Sequence, residues 1–450
     1  MKLKRTDNAA LFWNWVLLEA MKTDSKKPGN QQEQGGPTRT SRAAAIVHAA
    51  IHNAVNGVRQ RNAFYQDPKT GKPVSPGAPP TGASQEAAGA GAAYRALVVL
   101  YRSQEAAFNK ARADFQALPL PGANHQPSFQ YGQDVAQQLL DARASDGSAS
   151  ADTYNPPTPG PGVWVPNPTL APPGPPLTPG WGNVRLFLLD SISRVRPPRF
   201  PALTDGDYTS AFRNVRDKGG AEPPPPRPPR GPTKDEKNIA LFFSYDDRLG
   251  SPIRLYNIHA FEILNKERNT SASLHRHARM FALINIAMAD AGIACWEAKF
   301  SPPPGYHIWR PFQGIPGADN DGNNETQAIK NWLPLGRPQA RDAEGRPVRN
   351  TTPNFPAYVS GHSSIGTALY GMLRKFFGAE FPFTLSSEEV PKKRSYMSWT
   401  QVIDENGTSR IFLGVHWRQD DTRGRALGQQ VADYIWDNFL RPTTLNATNT

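Results

Sequence analysis

Apolar residues recur along this chain at helical intervals far more often than at strand intervals. Leu11, Trp15, Leu18 and Met21 stand three or four apart, the spacing that lines one face of a helix. Residues 42–57 run Arg-Ala-Ala-Ala-Ile-Val-His-Ala-Ala-Ile-His-Asn-Ala-Val-Asn-Gly and predict a buried helix stopped at Gly57. The Ala-rich stretch 84–118 and residues 129–144 predict further helices, the second ending near Gly147. Helical pattern returns from 236 onward. Residues 273–299 are apolar on most sides, as a central helix is. Two more helices follow at about 362–377 and 417–439. Strand-like alternation is scarce. The predicted class is all-α: two helical bundles packed into one large domain, with residues 1–260 as the N-terminal half and 261–450 as the C-terminal half.

Pro and Gly, 45 and 37 in number, interrupt this pattern in a few places rather than diluting it. Residues 66–83, 156–179 and 222–233 are predicted loops, too rich in proline for a helix or a central strand. The last contains Glu222-Pro-Pro-Pro-Pro-Arg-Pro-Pro-Arg, which favours polyproline II: a semi-rigid surface loop, or a segment for a partner's aromatic groove.

Composition then narrows the function. A single cysteine, Cys295, excludes an internal disulfide framework and a cysteine-based zinc site. No uninterrupted apolar run reaches the roughly 18 residues of a membrane span, so no membrane is expected. Met1-Lys-Leu-Lys-Arg resembles the start of a signal peptide, but Asn8, Asn14 and Glu19 break the apolar segment that follows. The cytoplasm is the default compartment. The net charge is +12, yet the basic residues are dispersed, and the short run Lys392-Lys393-Arg394 reads as a solvated loop. No nucleic-acid-binding module accompanies it, and no nucleic-acid partner is expected.

Three segments in the last third hold the polar residues that carry chemistry. One is Trp296-Glu-Ala-Lys299, followed by Arg310-Pro311. The second is Phe355-Pro-Ala-Tyr-Val-Ser360-Gly361-His362-Ser363. The third is Ser409-Arg410-Ile-Phe-Leu-Gly-Val-His416-Trp417-Arg-Gln-Asp420. Ser360-Gly361-His362 precedes an apolar-periodic helix, where free amides and the helix dipole favour an anion; an ordinary serine N-cap reads the same way. His416 and Asp420, four apart, fit one helix face, where the carboxylate would fix the ring tautomer; a structural pair fits equally. Lys299 at a helix end answers the helix dipole or faces a ligand. Taken together, three cations, a hydroxyl, an amide and two imidazoles make a pocket for a tetrahedral oxyanion passing through five coordination.

This set resembles the three-part signature of vanadium-dependent haloperoxidases and type 2 phosphatidic-acid-phosphatase-like acid phosphatases: Lys…Arg-Pro, Pro-Ser-Gly-His, and Ser-Arg-x5-His-x3-Asp. The third part is matched in full at Ser409, Arg410, His416 and Asp420, and the likeness is strongest over 270–440. The resemblance implies vanadate, V(V), bound to His416, with Asp420 orienting the ring. Lys299, Arg310 and Arg410 would neutralise its oxygens, Ser360 and the Gly361 amide would hydrogen-bond them, and His362 would be the acid–base residue. It implies hydrogen peroxide, a halide and a small organic acceptor as substrates. Trp296 and Phe355 look like the aromatic positions of the chloroperoxidase branch, with Phe355 on the halide side. A homodimer is the expected assembly. Two positions depart from the pattern: ten residues separate Lys299 from Arg310, more than is usual, and Val359 stands where the family has proline.

Two other readings compete. As an acid phosphatase, the chain would use His416 to attack phosphorus and form a phosphohistidine, with His362 protonating the leaving group. As a non-catalytic scaffold, it would bind oxyanions and recruit partners through its proline-rich loops. His48 and His52 share a helix face without the glutamate of a metalloprotease motif and read as core or interface residues. His275 and His277 read as surface or packing residues, and His307 as a residue of the pocket entrance.

Overall fold

Among the residues it describes, the structure, a computed structural model, has 13 α-helices and one hairpin where the helix-forming patterns fall. It describes residues 8–443 except 76, 168–174, 222–231, 246–248, 268–272, 338–339, 341–347 and 349. The polyproline run at 222–231 therefore lies outside the described residues. In the first half α1 is Ala9–Ser25, α2 Gly36–Val58, α3 Gln85–Leu100, α4 Glu105–Gln116, α5 His125–Arg143, α6 Gly206–Lys218 and α7 Lys234–Phe242. In the second, α8 is Pro252–Leu264, α9 Ser273–Phe300, α10 Pro311–Gly314, α11 Gly361–Phe377, α12 Trp399–Phe412 and α13 Arg418–Asn438. The stretch expected as helix over 84–118 is broken at Tyr101, which leaves helical geometry before a 3-10 turn at Arg102–Gln104.

Helices α2, α3 and α5 pack together, and α2 also packs on α9. On its other sides α9 meets α11 and α13. One continuous core joins these layers, from Ala9 to Leu440. Residues 274–300 of α9 are long and apolar enough to cross a membrane, which the absence of an uninterrupted apolar run did not anticipate. However, that helix lies almost wholly buried inside the protein. His48, stacked on Phe281 at 4.8 Å, and His52 are core residues, as expected. His275 and His277 are buried packing residues.

The hairpin pairs β1, Glu380–Leu385, with β2, Arg394–Ser398, in antiparallel register Phe383↔Tyr396. Phe381 and Phe383 stack on Trp399 at 5.7 and 4.4 Å, so packing against α12 supplies what a short proline-containing strand lacks in pattern. Lys392 and Lys393 lie in the exposed connection, and Arg394 pairs with Glu405 and Asp235.

Two contacts place the second half's helices for function. Gly424 and Gly428 let α13 press onto the start of α11: a Cβ at 424 would stand 2.9 Å from the Cβ of Ser363, and one at 428 would collide with the Ser364 carbonyl. Asp290, fully buried on α9, accepts the backbone N–H groups of Phe187, Leu188 and Leu189 at 2.6, 2.8 and 2.7 Å. It thereby pins an irregular segment of the first half to the central helix. Asp290→Ala would strand three buried donors, so we expect a loss on the order of 3–5 kcal/mol. A lowered urea midpoint checks this; an unchanged midpoint refutes it.

Candidate active site

Three chain reversals meet where α9 ends. Lys299 lies in the last turn of α9. The chain then makes the long 301–309 excursion, which is pinned to the first half by the Val163↔Ile308 bridge and the Trp309 N–H to Gly162 carbonyl bond of 2.9 Å. That pinning absorbs the extra residues and returns Arg310 to the site. Arg310 donates Nε to the Phe355 carbonyl at 2.9 Å and Nη1 to the Val415 carbonyl at 2.6 Å. Lys299 Nζ donates to the carbonyls of Pro356 and Ala357 at 2.8 and 3.0 Å. Both cations thus grip the segment that leads into Ser360, and that segment contains a cis Tyr358–Val359 peptide.

His416 sits in the turn between α12 and α13. Its Nδ1 lies 2.8 Å from Asp420 Oδ2, and its Nε2 lies 2.9 Å from Arg310 Nη1. A guanidinium only donates, so Nε2 carries the lone pair and Nδ1–H donates to Asp420. The pair forms differently from the shared helix face expected. His416 precedes α13, and Asp420 folds back over the helix start, where Oδ2 also accepts the Trp417 N–H at 2.8 Å. Burial, then Arg310, Lys299 and Arg410, push His416 well below its ordinary value, so the ring is neutral.

The charge of this pocket is unbalanced. Lys299 and Arg310 are fully buried, and their hydrogen-bond partners are carbonyls and a neutral ring, not carboxylates. Burial, with Arg310 adding to it, lowers Lys299 to about 7. Burial lowers Arg310 to about 9. Burial also pushes Asp420 up to about 7. Lys299 has a third N–H beyond its two carbonyl bonds. Arg310 Nη2 is buried without a hydrogen-bond partner among the described residues. Among those residues no three His, Cys, Asp or Glu side chains converge to cage a metal cation. The donors present fit a small oxyanion that bonds to one ring nitrogen.

Ser360 is the N-cap of α11, fully buried, and its Oγ accepts the Ser363 N–H at 3.3 Å. Its own O–H is left to donate. Gly361 opens the helix with one of the amides that have no intrahelical partner. His362 Nε2 donates to the Phe243 carbonyl at 3.1 Å, which leaves Nδ1 as the acceptor. The same carbonyl accepts Arg410 Nη1 at 3.4 Å, so one backbone group at the end of α7 holds two predicted site residues. Burial, with Arg410 next, holds His362 well below its ordinary value. Its backbone carbonyl accepts from Asn406 at 2.8 Å and Tyr256 at 3.2 Å.

Trp296 and Phe355 pack at 4.9 Å, with Lys299 Nζ 5.6 Å from the Trp296 ring and 5.0 Å from the Phe355 ring. They form an apolar wall beside the cations. The indole N–H is spent on the Leu177 carbonyl at 3.1 Å, within the second proline-rich stretch. The structure thus brings all ten sequence-predicted residues into one network of contacts. His307 instead lies 2% exposed among Tyr154, Trp164 and Phe300. Sequence reasoning missed the Phe243 carbonyl, Tyr256, Asn406 and the Ser363–Asp421 pair. None carries a periodic or motif signal beyond Ser363's place next to His362.

Residues 279–444 match the family described as the VCPO second helical-bundle domain. The chain is similar to the vanadium chloroperoxidase of Curvularia inaequalis, with 28% identity over 502 aligned positions, taking in 93% of this chain and 80% of that one. It is also similar in fold to a bacterial vanadium-dependent iodoperoxidase, with a TM-score of 0.73 at 24% identity over 95% of this chain and 96% of that one. A holo-type bacterial vanadium-dependent chloroperoxidase gives 0.62 at 17% over 92% and 95%. At these identities the two structures speak for the fold alone.

The titration of Lys299 and Asp420 makes a signed prediction. Below pH 7 Lys299 is cationic and Asp420 neutral; as pH rises through 7, Lys299 loses its charge and Asp420 gains one. Both changes weaken anion binding. Sulfate, whose own charge is constant in this range, should bind more weakly at pH 8.5 than at pH 6 by about tenfold or more, a difference of about 1.4 kcal/mol. Calorimetric titration reads it, and Lys299→Met should flatten the dependence. Binding that strengthens with pH would contradict the charge assignment.

Proposed function

We propose that the chain is a member of the vanadium haloperoxidase family and acts as a vanadium-dependent haloperoxidase, a reading supported by its similarity to that family over 279–444 and to the Curvularia inaequalis chloroperoxidase. It uses hydrogen peroxide to oxidise chloride, bromide or iodide to a hypohalous-acid equivalent, which halogenates a small organic acceptor. The observation that carries this reading is the pairing of two buried cations, hydrogen-bonded to no carboxylate among the described residues, with a neutral histidine whose Nε2 lone pair faces Arg310. Such a pocket calls for a bound anion.

Bound there, vanadate would supply Lewis-acid chemistry toward peroxide, with vanadium staying V(V). The protein's part is binding, orientation and proton handling. His416 Nε2 would hold the vanadate, and Asp420 accepts the Nδ1–H, so that Nε2 keeps its lone pair. Lys299, Arg310 and Arg410 balance the anion's charge, while the Ser360 hydroxyl and Gly361 amide donate to it. His362, tethered through Nε2, takes and returns protons at Nδ1. Trp296 and Phe355 exclude water from the side where a halide would lose its hydration.

The test is a paired assay on metal-stripped protein with and without orthovanadate. It reads peroxide-dependent halogenation of a dione dye with chloride, bromide and iodide, and hydrolysis of an aryl phosphate. We expect halogenation that depends on vanadate and little hydrolysis, and His416→Ala should abolish both vanadate binding and turnover. Lys299→Ala should raise the half-activating vanadate concentration about tenfold, through loss of one charge-assisted bond worth ~1.5 kcal/mol. Hydrolysis inhibited by vanadate, without halogenation, would instead make the chain a phosphatase using a phosphohistidine at His416. Neither activity would leave an oxyanion-binding scaffold.

A further inference from the structure

Ser363 follows His362 directly and has no part in the chemistry above, yet it is fully buried and tied at both ends. Its backbone N–H donates to Ser360 Oγ at 3.3 Å. Its hydroxyl donates to Asp421 Oδ1 at 2.8 Å. Asp421 is also fully buried and is the residue after Asp420 on α13. Arg425 faces its carboxylate with both Nε, at 2.8 Å, and Nη2, and reaches Asp404 on α12 with Nη1. Gly407 of α12 gives the carboxylate its room, since a Cβ there would collide with Oδ1. One polar chain therefore crosses α11, α13 and α12, which carry Ser360 and His362, Asp420, and Arg410 respectively.

The consequence lies in the direction of one hydroxyl. Because the Ser363 amide occupies an Oγ lone pair of Ser360, the Ser360 O–H cannot point at that amide and is left to donate elsewhere. That cap bond is long, and it holds only while the first turn of α11 keeps its place. The Ser360 N–H to Asp420 carbonyl bond of 3.0 Å fixes one end of the turn to α13. The Ser363–Asp421 bond fixes the other. The two attachments are three residues apart on α11 and one residue apart on α13, so together they stop the turn from rotating relative to His416.

We propose that Ser363 is a positioning residue: its hydroxyl, anchored on Asp421, holds the Ser360 and Gly361 donors at a set distance from the His416 nitrogen and so sets the affinity of the site for its oxyanion. This deepens the functional reading above and rests on it. Ser363 does not touch the anion; it acts through Ser360.

The proposal separates two properties that a purely structural role would move together. Ser363→Ala removes the anchoring hydroxyl and leaves the Asp421–Arg425–Asp404 ion pairs intact. Asp421→Asn keeps an amide oxygen to accept that hydroxyl but removes the charge that Arg425 pairs with. The measurement is equilibrium dialysis of full-length protein against orthovanadate, with bound vanadium quantified, alongside thermal denaturation. Ser363→Ala should weaken vanadate binding about tenfold, the scale of one buried hydrogen bond in the site, with Tm lowered by only a few degrees. Asp421→Asn should lower Tm more, yet keep affinity within about threefold of wild type. Affinity then follows the hydroxyl link, and stability follows the ion pair. Unchanged binding by Ser363→Ala overturns the proposal. So does an affinity loss that ranks with Tm across the two variants. Failure of the wild-type protein to bind vanadate is a different result: it removes the oxyanion reading itself, and this one with it.

Discussion

Everything at the candidate site turns on two cations taken out of water with no carboxylate hydrogen-bonded to them among the described residues. Moving an ion into a protein interior costs several kcal/mol even after relaxation. Lys299 and Arg310 are both fully buried. The chain offsets part of that cost with four backbone carbonyls, from Phe355, Pro356, Ala357 and Val415. Carbonyl dipoles stabilise a cation without neutralising it. The net positive potential is therefore kept, and it is what an anion would be bound by. A carboxylate in the same place would have made a stable ion pair and an inert site.

That constraint explains why the surrounding backbone is irregular and yet fully tied down. A regular helix spends its carbonyls internally, so the segment 355–360 has to be extended to offer them outward. Extended chain inside a helical protein needs partners of its own. It gets them from the 301–309 excursion, whose Ile308 carbonyl accepts the Ala357 N–H, and from the 156–179 stretch of the first half, where the Leu177 N–H donates to the Asn354 carbonyl and Val163 bridges to Ile308. A stretch that composition marks only as a proline-rich loop, 156–179, thus packs against the site. The excursion between Lys299 and Arg310 is part of the same arrangement, because its last residues, 307–309, pair with 162–164.

The sequence carried the helical class, the central helix and the positions of the charged residues, because each of these is written locally. Apolar spacing reports a helix face, and the Ser-Arg-x5-His-x3-Asp run reports its site within twelve residues. What stayed hidden is what depends on long-range contact. Helix α12, which bears Arg410, has polar residues on every side in the stretch Asp404-Glu405-Asn406-Gly407-Thr408, so no apolar face announces it. The hairpin was invisible because Pro382 interrupts β1, whose stability comes from rings stacked on Trp399. A backbone carbonyl such as that of Phe243 has no side-chain signature at all, although it orients both His362 and Arg410. Even the His416–Asp420 pair, correctly read as a pair, forms through an N-terminal fold-back and not through a common face, a difference that spacing alone does not resolve.

The two imidazoles show how one pocket produces different proton inventories from one residue type. Both rings are held neutral by burial and by the same cations. Their hydrogen bonds are opposite in sense. His416 donates from Nδ1 to a carboxylate, which leaves Nε2 as the more basic nitrogen, facing Arg310. His362 donates from Nε2 to a carbonyl, which has no charge to raise the basicity of Nδ1. A carboxylate partner favours a strong, permanent ligand bond at the far nitrogen, while a carbonyl partner leaves a ring that accepts a proton and gives it back readily. The division of labour between ligand and proton carrier therefore follows from the acceptor behind each ring. Those acceptors, Asp420 and the Phe243 carbonyl, are fixed by the start of one helix and the end of another.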